Sequence, residues 1–328
     1  MRAWLIDNLT GIDHLRLADI PDPVPQPDEA ILEVHHAALN PADRYLAEGQ
    51  YPAKPSLPHI LGRDGMGEVL ALGADARSLN IGDRRAILRG AVGVDLPGTF
   101  AQRVAVPIQN LVEIPKGWND EESAGATLVY LTAYQALTMW GPLPPPAVVL
   151  VTGASGGVGV ASVQLAGALG HTVITLSRNP AKSDRLRQLG ATAIFNPEDP
   201  EWRKQLKSTI APRRVDLAID NIGGKLLSEV IDTLGESGRV SLVGRLAGPV
   251  PSFNTAALFF RRIRMGGVAV GSYTNPEAHA AWQQILQLLA RTGARPLVDQ
   301  IFPFDQLPKA FEHLSHGPMG KVLLQVKQ

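Results

Sequence analysis

The amino-acid sequence predicts an α/β protein in which a doubly wound parallel sheet is inserted into a β-rich domain. Between about residues 119 and 268, short β-branched runs alternate with helical segments, as in right-handed βαβ units. Residues 1–118 are short β-segments interrupted by Pro and Gly, which is typical of a mostly antiparallel domain. Residues 269–328 return to short elements, so we expect them to complete the first domain. A chain of 328 residues is long enough for two such domains.

The individual elements follow from the periodicity of apolar residues. In the first domain the sequence predicts strands at residues 30–36, 67–72, 84–88, 100–106 and 111–114. A long helix is predicted over residues 120–140. In the middle region, strands at 148–152, 172–176, 215–220 and 239–243 alternate with helices at 157–169, 179–189 and 225–234. An apolar strand over 265–270 closes the middle region. The tail holds helices beginning near Asn275 and Asp305 and a strand over 322–326.

Composition excludes several function classes. Lys plus Arg and Asp plus Glu both number 31, so no net field attracts nucleic acid or an anionic membrane. An uninterrupted apolar run of about 18 residues, which a spanning helix needs, is absent. The N-terminal apolar run is too short for a signal peptide, so the cytoplasm is the expected location. The chain has no cysteine, which excludes disulfides, thiolate catalysis and cysteine-ligated zinc.

The strongest chemical signal lies at the first strand–helix turn of the middle region. The segment TGASGGVG at residues 152–159 places Ala154, Gly156 and Gly159 at the positions of the A-x-G-x-x-G dinucleotide fingerprint. Gly156 lets the backbone approach a pyrophosphate, and Gly159 lets the helix pack closely on the strand. The turn follows a predicted strand and opens a predicted helix, whose free N–H groups favour phosphate. The sequence therefore predicts a dinucleotide site.

The end of the next predicted strand indicates which dinucleotide is bound. NAD-binding units place Asp or Glu there to accept from the ribose 2′-hydroxyl, whereas this chain has Leu176-Ser177-Arg178 with Lys182 one turn later. Two cations and a hydroxyl can meet a 2′-phosphate, so the sequence favours NADPH. A short-chain dehydrogenase pattern also fits the glycines, but the Tyr-x-x-x-Lys pair that it requires is missing.

An ordered set of segments resembles the medium-chain dehydrogenase/reductase superfamily over essentially the whole chain. The segments are GRDGMGEV at residues 62–69, IGDR at 81–84, GTFA at 98–101, LTAY at 131–134, the glycine turn, DNIGG at 220–224 and GKV at 320–322. The resemblance implies a Rossmann domain over residues 119–268 and a GroES-like catalytic domain made of residues 1–118 and 269–328. It also implies a homodimer through the last Rossmann strand.

Zinc enzymes of this superfamily have an early Cys ligand and a Gly-His-Glu segment. Here Asn40 stands in the place of that Cys, and Arg63-Asp64 replaces the His-Glu pair. His35, His36 and His59 remain, but a site built on histidine alone is poorly supported. The sequence therefore predicts no metal.

The segments Asn40-Pro41-Ala42-Asp43 and Gly49-Gln50-Tyr51-Pro52 resemble the zinc-independent quinone oxidoreductase branch. The resemblance implies NADPH-linked hydride transfer to a small quinone, enone or alkenal, with Asn40 and Tyr51 stabilising the charge on the substrate oxygen. Carried over position by position, it also implies a set of cofactor contacts: Thr132, Ser155, Gly156, Gly157, Val158, Ser177, Arg178, Lys182, Asn221, Gly244, Arg245 and Lys321. One departure is Pro197 after Asn196, where relatives often have Tyr.

Two other functions stay open. The chain could bind NADPH without catalysing a reaction. It could also reduce enoyl thioesters, which would require a basic rim such as Arg261, Arg262 and Arg264; these three also fit an exposed approach to the strand that follows them.

Overall fold

The computed structural model describes residues 1–143, 145–248 and 253–327. Its strands are β1 (Arg2–Leu5), β2 (Arg16–Asp19), β3 (Glu29–Ala38), β4 (Gly65–Leu72), β5 (Arg84–Ile87), β6 (Arg103–Pro107), β7 (Leu111–Glu113), β8 (Val148–Val151), β9 (Thr172–Leu176), β10 (Ala193–Phe195), β11 (Val215–Asp220), β12 (Leu234–Leu242), β13 (Arg264–Gly267), β14 (Val298–Pro303) and β15 (Lys321–Gln325). Its α-helices are α1 (Pro41–Ala47), α2 (Asp120–Ala124), α3 (Thr127–Thr138), α4 (Gly157–Ala168), α5 (Ser183–Gln188), α6 (Trp202–Ile210), α7 (Gly224–Thr233), α8 (Ala256–Phe260), α9 (Asn275–Thr292) and α10 (Leu307–Ser315).

The chain divides into two compact units. The β-rich unit consists of Met1–Leu128, Tyr273–Ala280 and Arg295–Gln328, and the Rossmann unit consists of Val129–Ser272 and Ala281–Ala294. The domain limits that the sequence gives, 1–118 with 269–328 and 119–268, stay a prediction. In the part of the chain that the structure describes, no helix is long and apolar enough to cross a membrane.

A seven-stranded sheet forms the frame of the β-rich unit. Its strands run in the order β14-β15-β3-β4-β5-β7, with β6 also paired to β3. All its pairs are antiparallel except β14 with β15. Alternate side chains of β3 and its neighbours enter a core that also includes Trp4, Phe100 and Phe311. This arrangement places the carboxyl end of β3 beside the beginning of β15.

A six-stranded parallel sheet forms the centre of the Rossmann unit. The strands run in the order β10-β9-β8-β11-β12-β13. The order reverses between β8 and β11, and ligands of doubly wound sheets bind beyond the carboxyl ends of the strands at such a point. The four residues of β8 are fully buried, as the apolar run in the sequence indicates. The predicted α/β fold, with a parallel sheet and a separate β-rich domain, is confirmed.

Some element limits differ from the sequence-based ones. The single helix predicted over 120–140 is wrong, since the structure has α2 and α3 with a break at Gly125-Ala126. A β-carbon at Gly125 would lie 3.2 Å from Cβ of Lys321, so the break lies where the chain passes close to that side chain. The strand predicted at 239–243 begins earlier, at Leu234, because β12 pairs with Val215 before its register shifts. The strand predicted at 265–270 is the shorter β13.

Candidate active site and dinucleotide turn

The turn after β8 has the geometry that its glycines predict. Gly153 has a positive φ of 57°, and its carbonyl oxygen accepts from the N–H of Gly156 at 3.1 Å. A β-carbon at Gly159 would lie 2.3 Å from the Gly153 carbonyl oxygen and 2.6 Å from Cα of Ala154, which no residue but glycine permits. A β-carbon at Gly156 would meet only the Gly153 oxygen, at 3.6 Å. Packing within the chain therefore requires Gly159, whereas Gly156 keeps space open at the start of α4.

The ends of β11 and β12 bring together three more predicted cofactor residues. Asn221 donates from Nδ2 to the Thr152 carbonyl oxygen at 2.8 Å, which fixes its carboxamide beside the glycine turn. Its Oδ1 is buried and has no hydrogen-bond partner in the described part of the chain. A β-carbon at Gly244 would lie 2.7 Å from the Asn221 carbonyl oxygen, and Cα of Arg245 lies 3.2 Å from the corresponding position at Gly223. The Asn221 oxygen is thus an acceptor suited to a ligand hydroxyl.

A buried carboxylate connects the carboxyl ends of β8 and β11 with the loop that follows. Asp220 accepts from the Thr152 hydroxyl at 2.7 Å and from the Gly223 N–H at 3.0 Å. Burial raises the pKa of Asp220, while these hydrogen bonds act in the opposite direction. The two donors connect the end of β8 with the loop that begins α7. Asp220 is therefore a structural support for Asn221.

The predicted 2′-phosphate residues follow β9. Lys182 donates from Nζ to Oγ of Ser155 at 3.2 Å, so a cation lies directly at the glycine turn. Ser177 donates from Oγ to the Asn179 carbonyl oxygen at 3.3 Å. Arg178 is exposed, and its guanidinium lies 3.9 Å from a carboxylate oxygen of Glu198. Among these contacts of Ser177, Arg178 and Lys182, only that of Lys182 reaches a residue of the glycine turn.

Thr132 lies on α3, half-buried in the Rossmann unit. One helical turn later, Gln135 donates from Nε2 to Oγ of Ser272 at 3.1 Å. Its Oε1 is buried and unpartnered within the described residues, as is the oxygen of Asn221. Gln135 could not be recognised from the sequence, since an amide inside a helix gives no signal by type alone. Gly157 and Val158 form the first turn of α4, where the prediction places a pyrophosphate.

In the β-rich unit, a buried network connects β3, β4 and β15. The ammonium of Lys321 donates to Oδ1 of Asn40 at 2.7 Å, to the Leu39 carbonyl oxygen at 3.0 Å and to Oδ2 of Asp64 at 3.1 Å. Asp64 is fully buried, and its other oxygen accepts from the Thr127 hydroxyl at 3.0 Å. Three acceptors thus surround the three N–H bonds of Lys321. Its predicted contact with the cofactor stays a prediction.

A second buried ion pair lies beside the first. Arg63 donates from Nε to Oδ1 of Asp43 at 2.9 Å, and from a terminal nitrogen to the Ala42 carbonyl oxygen at 3.1 Å. Asp43 is fully buried, and its Oδ2 accepts from the backbone N–H of Asn40 at 2.9 Å. The Cζ of Arg63 lies 4.7 Å from the centroid of the Tyr51 ring, within the range of a cation–π contact.

Electrostatics keep Arg63 charged. Burial disfavours its positive charge, but Asp43 and Tyr51 favour it more, and the pKa of Arg63 is raised. Burial also raises the pKa of Asp43 above its ordinary value, although Arg63 acts against that shift. We treat the two as an ion pair, because a guanidinium 2.9 Å away satisfies the carboxylate directly.

The histidines do not assemble a metal site. Nδ1 of His35 lies 3.0 Å from a carboxylate oxygen of Asp120, and Nε2 of His36 lies 3.9 Å from one of Glu121. Burial lowers the pKa of His35, His36 and His59, which favours neutral rings. Among residues 1–143, 145–248 and 253–327, no group of three or more His, Cys, Asp or Glu side chains is placed to hold a metal ion.

Comparison with known proteins matches both units to enzyme families. Residues 26–116 match the alcohol dehydrogenase GroES-like domain, and residues 157–291 match the zinc-binding dehydrogenase family. A quinone oxidoreductase of Sus scrofa is 28% identical over 331 residues, covering 99% of this chain and 97% of the relative. The chain thus carries both domains typical of the medium-chain dehydrogenase/reductase superfamily, and quinone oxidoreductases are among its relatives. It is therefore an oxidoreductase.

Solved structures of other superfamily members share the fold of this oxidoreductase. An NAD-dependent alcohol dehydrogenase superimposes with a TM-score of 0.91 at 28% identity, covering 100% of both chains. The Escherichia coli quinone oxidoreductase, solved in complex with NADPH, gives a TM-score of 0.90 at 23% identity, covering 99% of this chain and 100% of that one.

The zinc that one family name implies does not fit the donors of this oxidoreductase. Zinc prefers thiolate, imidazole and carboxylate ligands. At the positions where the resemblance to zinc enzymes implies metal ligands, this chain presents the carboxamide of Asn40 and the guanidinium of Arg63. The carboxylates beside them, Asp43 and Asp64, already bind Arg63 and Lys321. A zinc ion needs side chains with free lone pairs, whereas the carboxylates here are paired with two cations.

Asn40 and Tyr51 were predicted from the sequence, but Asp43, which links them, was not. The signal was present, since Asn40-Pro41-Ala42-Asp43 has the spacing of a capping box, with Pro at the first helical position of α1. The structure brings Asn40 and Tyr51 into one cluster through Asp43 and Arg63. The roles of all these residues in catalysis stay predictions.

Proposed function

We propose that this oxidoreductase uses NADPH, without zinc, to deliver hydride to a small quinone or α,β-unsaturated carbonyl compound. The observation that carries the proposal is the double ion pair in the β-rich unit, Asp43 with Arg63 and Asp64 with Lys321. Oxidation of a simple alcohol relies on a Lewis acid to hold the alkoxide. Hydride addition to a conjugated carbonyl develops charge on an oxygen that N–H and O–H donors can stabilise.

The Rossmann unit offers suitable groups for NADPH, which supplies hydride when bound. The first turn of α4, with Ser155, Gly156, Gly157 and Val158, presents backbone N–H groups to a pyrophosphate. The unpartnered Oδ1 of Asn221 can accept from a ribose hydroxyl. We place Thr132 near the nicotinamide-phosphate end of the cofactor, and Gly244 and Arg245 at strand ends on the ligand side, as the resemblance implies.

Preference for NADPH over NADH is proposed to rest on Lys182, with Ser177 and Arg178 beside it. The Lys182 ammonium contacts Ser155 of the turn, and no carboxylate follows β9 directly in the sequence to repel a phosphate. A hydrogen bond to a charged group contributes about 1.5–3 kcal/mol, so one phosphate contact gives roughly a tenfold preference or more.

The test follows the absorbance of NADPH and NADH against quinones, alkenals and enoyl thioesters. We expect turnover of a quinone or alkenal with at least about tenfold preference for NADPH, and Lys182→Ala should remove most of that preference. Lys204→Ala is the matched control, because Lys204 is an exposed lysine of α6 paired with Glu201. Equal use of NADH by the wild-type protein would contradict the cofactor assignment. Tight NADPH binding with no turnover would instead support a non-catalytic protein.

If the protein were an enoyl thioester reductase, a basic rim would be expected near the carboxyl ends of the Rossmann strands, where the cofactor is predicted to bind. In the Rossmann unit, Arg264 begins β13, and Arg261 and Arg262 precede it, so all three lie at the amino end of the strand. The glycine turn follows the carboxyl end of β8, which is parallel to β13 through β11 and β12. The three arginines thus lie at the opposite ends of the strands from the glycine turn. Turnover confined to thioesters would contradict our proposal.

We propose that the protein is a homodimer through β13. This strand pairs with β12 on one side, and within the described residues its other side is an open sheet edge. Beside it, Phe259 and Phe260 are 64% and 78% exposed, which is unusual for two adjacent aromatic residues of a monomer. Light scattering at micromolar concentration should give twice the mass of the chain. A monomeric mass would disprove the assignment.

A further inference from the structure

The candidate oxyanion donor that the sequence suggests is already engaged. Asn40 is 5% exposed, and its Oδ1 accepts from Lys321 at 2.7 Å. Its Nδ2 donates to the Ala38 carbonyl oxygen at 3.2 Å. The carboxamide is thus held from both ends by the protein, and at most one N–H remains for a substrate. This arrangement suits a residue that positions the end of β3.

Arg63 has more hydrogen-bonding capacity left. A guanidinium carries five N–H donors, and Asp43 and the Ala42 carbonyl oxygen take two of them. The other three lie on the terminal nitrogens, and Tyr51, whose ring lies 4.7 Å from Cζ, also hydrogen-bonds to the guanidinium, which leaves two N–H donors for a ligand. The planar group is held by the hydrogen bond to Asp43 and by its contact with Tyr51, so it needs little reorganisation when a ligand arrives.

Charge balance allows this cation to act on a neutral substrate. The cluster holds two buried carboxylates, Asp43 and Asp64, and two buried cations, Arg63 and Lys321. Its net charge is therefore zero before substrate binds. Lys321 has three oxygen acceptors of its own and Asn40 keeps at most one N–H, so most of the spare N–H donors of the cluster belong to Arg63.

We propose that Arg63 binds the carbonyl oxygen of the substrate and stabilises the negative charge that this oxygen acquires. The inference rests on the proposed function. Hydride adds to the β-carbon, the electron pair of the carbon–carbon double bond moves toward the carbonyl, and the charge arrives on oxygen as an enolate. The Arg63 N–H groups stabilise that oxyanion, and a solvent proton then neutralises it. With a quinone, the same oxygen becomes that of the hydroquinone anion.

The decisive variant replaces both members of the ion pair, Arg63→Met with Asp43→Asn. Removing Arg63 alone would leave a buried unpaired carboxylate, whereas the carboxamide that Asp43→Asn introduces still offers an oxygen to the Asn40 N–H. The matched control is Arg85→Met with Asp83→Asn. Asp83 likewise binds an arginine, at 2.8 Å, and accepts a backbone N–H three residues earlier, from Asn80, at 3.0 Å.

We expect kcat for a quinone to fall about 10²- to 10³-fold in the Arg63 double variant, as when an oxyanion donor is removed elsewhere. Added guanidinium chloride at millimolar concentration should restore part of that loss, and the control variant should retain wild-type kcat. NADPH affinity, followed by protein fluorescence, should not change. Unchanged kcat in a folded Arg63 double variant would overturn the proposal.

Two further measurements separate this inference from the proposed function. 4-Nitrophenol serves as a stable oxyanion probe, and we expect the wild-type protein to bind its phenolate at least about tenfold more tightly than the double variant does. Equal phenolate binding would overturn the role of Arg63 even if quinones are reduced. If the double variant fails to fold, Arg63→Lys replaces it: a bidentate role predicts a lower kcat despite the retained charge, and wild-type kcat would contradict it. A wild-type protein that reduces nothing in the panel but binds the phenolate through Arg63 would refute only the proposed function.

Discussion

Lys321→Met is expected to lower the free energy of unfolding by about 3–5 kcal/mol, the usual cost of removing one partner of a buried ion pair. The ammonium has three oxygen acceptors within 3.1 Å, and the residue is 4% exposed. Asp64, which is fully buried, would keep only the Thr127 hydroxyl as a side-chain donor. Chemical denaturation followed by tryptophan fluorescence measures the change.

Lys327→Met is the matched control for this variant. Lys327 follows the same strand, β15, and pairs with Glu33, but its side chain is 42% exposed. Exposed ion pairs contribute about 0–1 kcal/mol, so this control should remain close to the wild-type stability. The double variant Lys321→Met with Asp64→Asn should recover part of the loss, because it leaves no buried charge without a partner. Equal stabilities of the two single lysine variants would show that the buried network does not stabilise the fold.

The same variants test whether Lys321 also contacts the cofactor. If its role is confined to the network, NADPH should bind to folded Lys321→Met about as tightly as to Lys327→Met. A dissociation constant raised about tenfold or more in Lys321→Met alone would place the ammonium near the ligand, since one contact to a charged group has that effect.

The sequence predicted most of the Rossmann unit because its signals are local. The apolar strand β8 and the glycine turn lie within about a dozen residues, and each restricts the other to one geometry. Strand β9 was predicted at the limits that the structure shows, since a β-branched run between a glycine and polar residues has few alternatives. Local chemistry also explains the start of the helix predicted from residue 179, where the Asn179 side chain accepts from the Ala181 N–H at 3.0 Å.

The buried cluster of the β-rich unit could not be predicted in the same way. Lys321 and Asn40 lie 281 residues apart, and nothing in either segment indicates that they meet. From the sequence, Arg63 could be identified only as a cation that does not suit a zinc site. Its hydrogen bond to Asp43 and its contact with the Tyr51 ring become visible only in three dimensions. The close approach of Lys321 to Gly125, at the break between α2 and α3, likewise becomes visible only in three dimensions.

Gly159→Ala is expected to abolish measurable NADPH binding and to destabilise the Rossmann unit. Its β-carbon would lie 2.3 Å from the Gly153 carbonyl oxygen and 2.6 Å from Cα of Ala154. Both neighbours are backbone atoms, so either α4 moves away from β8 or the turn changes its shape. Overpacking of this kind costs typically about 1–3 kcal/mol. Because the pyrophosphate N–H donors belong to the same turn, the displacement should also separate them from the ligand.

Two glycines of the same helical segment provide controls for Gly159→Ala. A β-carbon at Gly156 meets only the Gly153 oxygen, at 3.6 Å, so Gly156→Ala should fold with near wild-type stability and still lose NADPH affinity. Gly167 lies in α4, and no atom outside its chain neighbours and the nearby helix backbone lies within 4 Å of its β-carbon position, so Gly167→Ala should bind NADPH normally and gain about 0.5–1 kcal/mol from helix propensity. Thermal unfolding and fluorescence titration measure the two effects. If Gly156→Ala bound NADPH as tightly as Gly167→Ala, the pyrophosphate would not approach this turn, and the dinucleotide assignment would have to move elsewhere.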